Sequence, residues 1–112
     1  VYQAKYEWCK NKRYLPFDFA ENNLKIVIEN DGAQHWKPVK LFNKTMTLDQ
    51  MVIRDEYKKE KAIQNGYSVI KLNKQNVWDN HIKGSYEWLS KLLEAIEFIK
   101  TQEEPVYYGY AY

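Results

Sequence analysis

Three acids stand where carboxylates are unusual. Asp18 interrupts the alternating run Leu15-Pro16-Phe17-Asp18-Phe19, and Glu29 and Asp31 close the apolar run that begins at Leu24. Alternate residues of a strand share a face, so Glu29 and Asp31 project together. A hairpin through Glu21-Asn22-Asn23 brings Asp18 beside Glu29. Carboxylates this close repel one another unless a cation lies among them, and oxygen donors suit a hard ion, Mg²⁺ or Mn²⁺. The plainer alternative is a surface turn at Asp31-Gly32. It leaves unexplained a charge at the end of a central strand and another inside an apolar one.

His35 lies four residues beyond Asp31. Its ordinary pKa near neutrality makes a histidine at an acidic strand end a general-base candidate, although a lone histidine is more often structural. Asp55 falls in the apolar stripe Leu48, Met51, Val52, Asp55, Ala62 of a helix, where a charge must be paired or functional. Its partner on the same helix would be Lys58 or Lys59. Lys37, Lys40 and Lys44 follow the acidic strand end, and Lys10, Lys12, Arg13, Lys71 and Lys74 lie near the strands. An acidic metal pocket ringed by lysines suits phosphodiester cleavage: the metal neutralises the scissile phosphate and the ring holds its neighbours. Single lysine runs are more often solvated faces. Cys9 reads as an idle or buried thiol, and His81 as structural.

These residues need a scaffold. Residues 14–19 read as a strand with Pro16 near its start or on an edge. Residues 24–30 read as a central strand covered on both faces. Residues 33–46 read as a loop. Thr47, with Gln50, makes a capping box for a helix over 48–64, which Asn65-Gly66 ends. Residues 67–72 read as a strand and 73–84 as a loop or short turn. Ser85 opens a helix over 85–100 with the stripe Trp88, Leu89, Leu92, Leu93, Ile96, Ile99. Residues 1–12 fit a helix or a strand. The order β-β-α-β-α requires a parallel crossover from 24–30 to 67–72. The fold class is α/β, a small mixed β-sheet flanked by helices. Residues 1–100 form the domain and 101–112 an aromatic, aperiodic tail.

The chain of 112 residues has the length of one domain, and 45% hydrophobic with 29% charged residues is ordinary for a globular protein. No apolar run approaches the ~20 residues of a membrane span. One cysteine makes no disulfide and fits a reducing, cytoplasmic setting. Seventeen Lys and Arg against 15 Asp and Glu is a weak basic excess, with Glu103 and Glu104 in a tail that has no base. Such a surface is compatible with nucleic acid without requiring it. A first residue Val suggests a fragment or a processed chain.

The ordered set Leu15-Pro16-Phe17-Asp18-Phe19, Ile28-Glu29-Asn30-Asp31-Gly32-Ala33-Gln34-His35, Arg54-Asp55 and Gly66-Tyr67-Ser68-Val69-Ile70-Lys71-Leu72 resembles the PD-(D/E)XK nuclease superfamily over about residues 14–75. More narrowly it resembles the very-short-patch-repair branch, with phage homing endonucleases bearing an "EDxHD" active site. The resemblance implies a Mg²⁺-dependent endonuclease for double-stranded DNA on a restriction-endonuclease-like core, with Mn²⁺ as a substitute ion. It makes Asp18 and Glu29 metal ligands, completed by the Asn30 backbone carbonyl. It makes His35 the residue that activates water or assists the leaving group, and Asp55 the acid that orients it. The superfamily lysine falls at position 31, where this chain has Asp31. A further glutamate of the branch would be Glu7 or lie upstream of Val1. A DNA-recognition region N-terminal to Val1, a phage or bacterial-host cytoplasm, and a homodimer or sequential nicking follow as expectations. Lys37, Lys40, Lys44, Lys58 and Lys59 are the expected DNA contacts. The rivals are a nuclease-fold module that binds nucleic acid without cutting it, and an interaction domain whose Tyr-rich tail docks on a partner.

Overall fold

The computed structural model describes residues 1–11, 13–31, 39–41, 44–46 and 48–112. In chain order the elements are β1 (Tyr2–Ala4), β2 (Lys10–Asn11), β3 (Arg13–Tyr14), β4 (Phe17–Glu21), β5 (Ile26–Asp31), β6 (Val39–Leu41), β7 (Lys44–Met46), α1 (Leu48–Gln64), β8 (Ser68–Asn73), α2 (Lys74–Ile82), α3 (Glu87–Lys100) and β9 (Tyr107–Tyr110). The class is the mixed α/β one that the pattern requires.

Five strands form the main sheet in the order β1-β4-β5-β8-β9. The turn after Glu21 closes the antiparallel hairpin β4–β5, with Phe19 opposite Ile28, Ala20 opposite Val27 and Glu21 opposite Ile26. Helix α1 then carries the chain over to β8, which runs parallel to β5 from Ile26 beside Ser68 to Asp31 beside Asn73. The end of α1 follows its sequence signal: Gly66 takes a φ of +85°, and the Tyr67 amide donates to the Ala62 carbonyl at 2.8 Å.

Alternation along β5 and β8 divides the core into two. Val27 and Val69 pack with Ala62 of α1, Phe17, Ala20, Ala4 and Cys9. Ile26 and Ile70 pack on the opposite face with Ala95 and Ile99 of α3. The central strand is covered on both sides, as its near-continuous apolar run demands.

Four expectations are corrected. The span 73–84 holds helix α2; the Asn73 side chain accepts from the Asn76 amide at 3.0 Å and caps it. Asn at an N-cap was the available signal, masked by the weak apolar periodicity of Lys74–Ile82. The loop assigned to 33–46 contains the antiparallel pair β6–β7. The aromatic tail is not aperiodic: β9 joins the sheet parallel to β8, with Val69 opposite Tyr107 and Lys71 opposite Tyr110. Finally, α3 buries Ala95 and Ile99, whereas Leu89 and Leu93 of the expected stripe are exposed. Thr47 lies outside the described residues. No helix among the described residues is long and apolar enough to cross a membrane.

Candidate active site

The acids meet at the end of the β4–β5 hairpin. The antiparallel ladder is regular at Phe19 and Ile28. One step further, the Asn30 amide donates not to a backbone carbonyl of β4 but to Asp18 Oδ2, at 2.7 Å. The side chain thus replaces a ladder bond, and the bond fixes that carboxylate at the strand end. Glu29 stands on the α1 face of β5 with 8% of its surface exposed, and Asp31 on the same face is fully buried. This bears out their shared face.

Two lysines serve this cluster. Lys58 of α1 donates from Nζ to Glu29 Oε1 at 2.7 Å and to the Pro16 carbonyl at 2.7 Å. It also lies 4.7 Å from the Phe17 ring centroid. Lys71 of β8 stands opposite Glu29 in the ladder. Its Nζ lies 3.2 Å from Asp31 Oδ2 and 3.2 Å from Asp55 Oδ2. The Tyr110 hydroxyl of β9 donates to Asp31 Oδ2 at 2.5 Å.

The electrostatics follow from this packing. Burial, above all, pushes the Glu29 carboxyl up to about 7; Lys58 opposes the rise, and Asp18 and Asp31 add to it. Burial pulls Lys71 down, but the charges and hydrogen bonds of Asp31 and Asp55 outweigh it and hold the ammonium above its usual range. The Cys9 thiol is pushed up, first by burial, so the thiolate is disfavoured and Cys9 is packing rather than a nucleophile.

Among the described residues the cluster holds the acids Asp18, Glu29, Asp31 and Asp55 and the lysines Lys58 and Lys71. Carboxylate oxygens gathered at a buried strand end suit a hard dication. Among the described residues, however, no group of three His, Cys, Asp or Glu side chains is arranged to hold a metal ion. A site here would draw on Asp18, Glu29 and non-side-chain oxygens.

Asp55 is paired, but across the core to Lys71 rather than along its helix to Lys58 or Lys59. Lys58 is not the surface phosphate contact that its place in a basic run suggested. At 9% exposure it is buried, because Glu29 and the Pro16 carbonyl replace its water. Lys59 lies on the surface of α1, 3.2 Å from Glu56 and 4.4 Å from the Tyr107 ring centroid. Glu7 is exposed and pairs with Lys10 at 3.2 Å, in a turn rather than a helix. His35 and Lys37 lie outside the described residues, while Lys40 and Lys44 fall on the β6–β7 hairpin. His81, near the end of α2, is exposed and lies against Trp78 with ring centroids 5.7 Å apart.

Sequence reasoning named Lys71 only as one of a ring of lysines, not as the partner of Asp31 and Asp55, and missed Tyr110. A signal existed for the first: a lysine inside the buried strand Ser68–Asn73 needs a carboxylate beside it. None existed for Tyr110, one of ten tyrosines in the chain. Comparison with protein-family models, curated proteins and solved structures found no match.

Proposed function

We propose that the protein is a Mg²⁺-dependent DNA endonuclease, with its active site at the end of the β4–β5 hairpin on a restriction-endonuclease-like core. The observation that carries this reading is the meeting of Asp18 and Glu29 on adjacent strands at a strand end where the buried Asp31 also lies. Asp18, Glu29 and the Asn30 carbonyl would hold the ion, which when bound supplies Lewis-acid polarisation of the scissile phosphate. His35 takes the proton of the attacking water. Lys71 places an ammonium beside Asp31, on the neighbouring strand to the one where the superfamily carries its lysine; there it stabilises charge developing on the phosphate. The surface lysines, Lys59 among them, contact flanking phosphates of double-stranded DNA.

A supercoiled-plasmid assay with Mg²⁺, Mn²⁺, Ca²⁺ and EDTA tests the reading, run beside His35→Ala. Nicking with Mg²⁺ or Mn²⁺, lost in EDTA and in His35→Ala, is the expected result. No nicking by the wild-type chain under any of these ions, alone or fused to a DNA-binding domain, would overturn it.

A second reading, a module that binds DNA without cutting, has its own support. Lys58 already engages Glu29, and no three-acid group for a metal stands among the described residues. DNA binding unaffected by Mg²⁺ and without turnover would favour it.

A further inference from the structure

The C-terminal strand brings one tyrosine to the cluster, and its geometry ties together groups from three other elements. Tyr110 Oη donates to Asp31 Oδ2 at 2.5 Å, and the same oxygen lies 3.2 Å from Lys71 Nζ. Lys71 is completed by Asp55 of α1 at 3.2 Å and lies 5.9 Å from the Tyr110 ring centroid. The backbone fixes Tyr110 independently of this contact. Val69 donates to the Val106 carbonyl at 2.9 Å, Ala111 to the Lys71 carbonyl at 2.8 Å, and Asn73 to the Tyr112 carbonyl at 2.8 Å. Val106 in turn donates to Ser68 Oγ at 2.9 Å. The hydroxyl is therefore delivered by a strand whose ladder brackets it on both sides.

We propose that Tyr110 is a positioning residue of the site: its hydroxyl fixes the Asp31 carboxylate, and Asp31 with Asp55 holds the Lys71 ammonium in place. The inference rests on the nuclease reading for its catalytic consequence, and on geometry alone for the positioning itself. A short O–H···O⁻ bond restricts Asp31 to one rotamer. An aspartate so held presents its Oδ2 to Lys71 without rotating into solvent, and the flexible four-carbon lysine stem loses its other minima. Nearly half of the Tyr110 surface stays exposed (47%), so the residue is not there chiefly to fill the core.

The experiment has two arms, and each failure is distinguishable. In the first, ¹⁵N–¹H spectra of the lysine ammonium groups are recorded for wild type and Tyr110→Phe at low temperature. Buried Lys58 and Lys71 should both give slowly exchanging signals in wild type. Tyr110→Phe should lose or displace the Lys71 signal and leave that of Lys58 in place, which general loosening would not do. An unchanged Lys71 signal overturns the proposal. In the second arm, the plasmid assay should show turnover reduced about 10-fold or more in Tyr110→Phe with KM little changed. Equal turnover in an active wild type overturns the catalytic consequence. A wild type that is inactive both alone and fused to a DNA-binding domain, yet still shows the Lys71 effect, overturns the nuclease reading and keeps the positioning role. Should Tyr110→Phe fail to fold, the wild type decides: a slowly exchanging Tyr110 hydroxyl proton supports the contact, and a rapidly exchanging one overturns it.

Discussion

Strands β5 and β8 present two unlike faces to two helices. Toward α3 they offer Ile26, Ile28 and Ile70, packed against Ala95 and Ile99. Toward α1 they offer Val27 and Val69, and then Glu29, Asp31 and Lys71. The same ladder holds both, so the difference lies in side chains one residue apart. The α3 face stabilises by removing apolar surface from water, about 25 cal/mol per Å². The α1 face buries charges, whose desolvation their pairing only partly offsets. A protein keeps such a face for chemistry more readily than for stability.

The largest expected contrast is in activity. Asp18→Asn keeps the size of the side chain and an oxygen for the Asn30 amide, but removes one of the two charged ligands of the proposed ion. Plasmid nicking should fall at least ~10²-fold, the scale on which single electrostatic contributions to transition states act. The thermal midpoint should stay within a few degrees. A fully active Asp18→Asn protein would sink the assignment of this face. Ile70→Ala is the counterpart on the other face. It should lose about 2–5 kcal/mol of stability in denaturant titration, because Ile70 is fully buried against α3. The activity of its folded fraction should be unchanged.

How far the sequence reveals each face follows from these physics. The α3 face was legible where apolar residues repeat: the central strand, the crossover and the existence of both long helices follow from periodicity. Leu89 and Leu93 misled, since periodicity identifies an apolar stripe but not which part of it meets the sheet. On the α1 face, parity placed Glu29 with Asp31, and hairpin closure placed Asp18 beside them. The partners were not legible. Lys58 and Lys71 reach Glu29 and Asp31 across 29 and 40 positions of sequence; the apolar strand around Lys71 marks a lysine in need of a carboxylate, but nothing local says which one, and nothing marks Lys58. Strand β9 escaped because Tyr107–Tyr110 lies beyond a helix and carries no alternation, its register shifting beside Val69 and Ile70.

A third variant sharpens the electrostatic side of the comparison. Lys58→Met removes the ammonium that opposes the rise in the Glu29 pKa and leaves that carboxylate buried without it. The destabilisation should be about 3–5 kcal/mol above neutral pH, the range for breaking a buried pair from one side. It should shrink at pH 5, where Glu29 takes a proton and the lost partner matters less. An equal loss at pH 5 and pH 8 would show that the Lys58 stem and its bond to Pro16 contribute the stability, not its charge.

The smallest effect concerns the metal-free wild type and its pH profile. The folded Glu29 carboxyl titrates at about 7 rather than at its ordinary 4.5, so between those values the native state binds more protons than the unfolded one. Stability contributed by this group is therefore fully present below about 4.5, declines as pH rises, and has all been lost once pH passes about 7. The thermal midpoint should fall by several degrees across that window, measured at fixed ionic strength in EDTA. Mg²⁺ at pH 8 should recover part of the loss, since an ion bound only by the native state stabilises it by mass action. Glu29→Gln should flatten this contribution to the decline and abolish the recovery. Ile70→Ala, on the uncharged face, should keep both the slope and the recovery while lying lower at every pH. A Mg²⁺ response that survives Glu29→Gln would place the ion away from the β5 strand end and remove the reason for reading the α1 face as the chemical one.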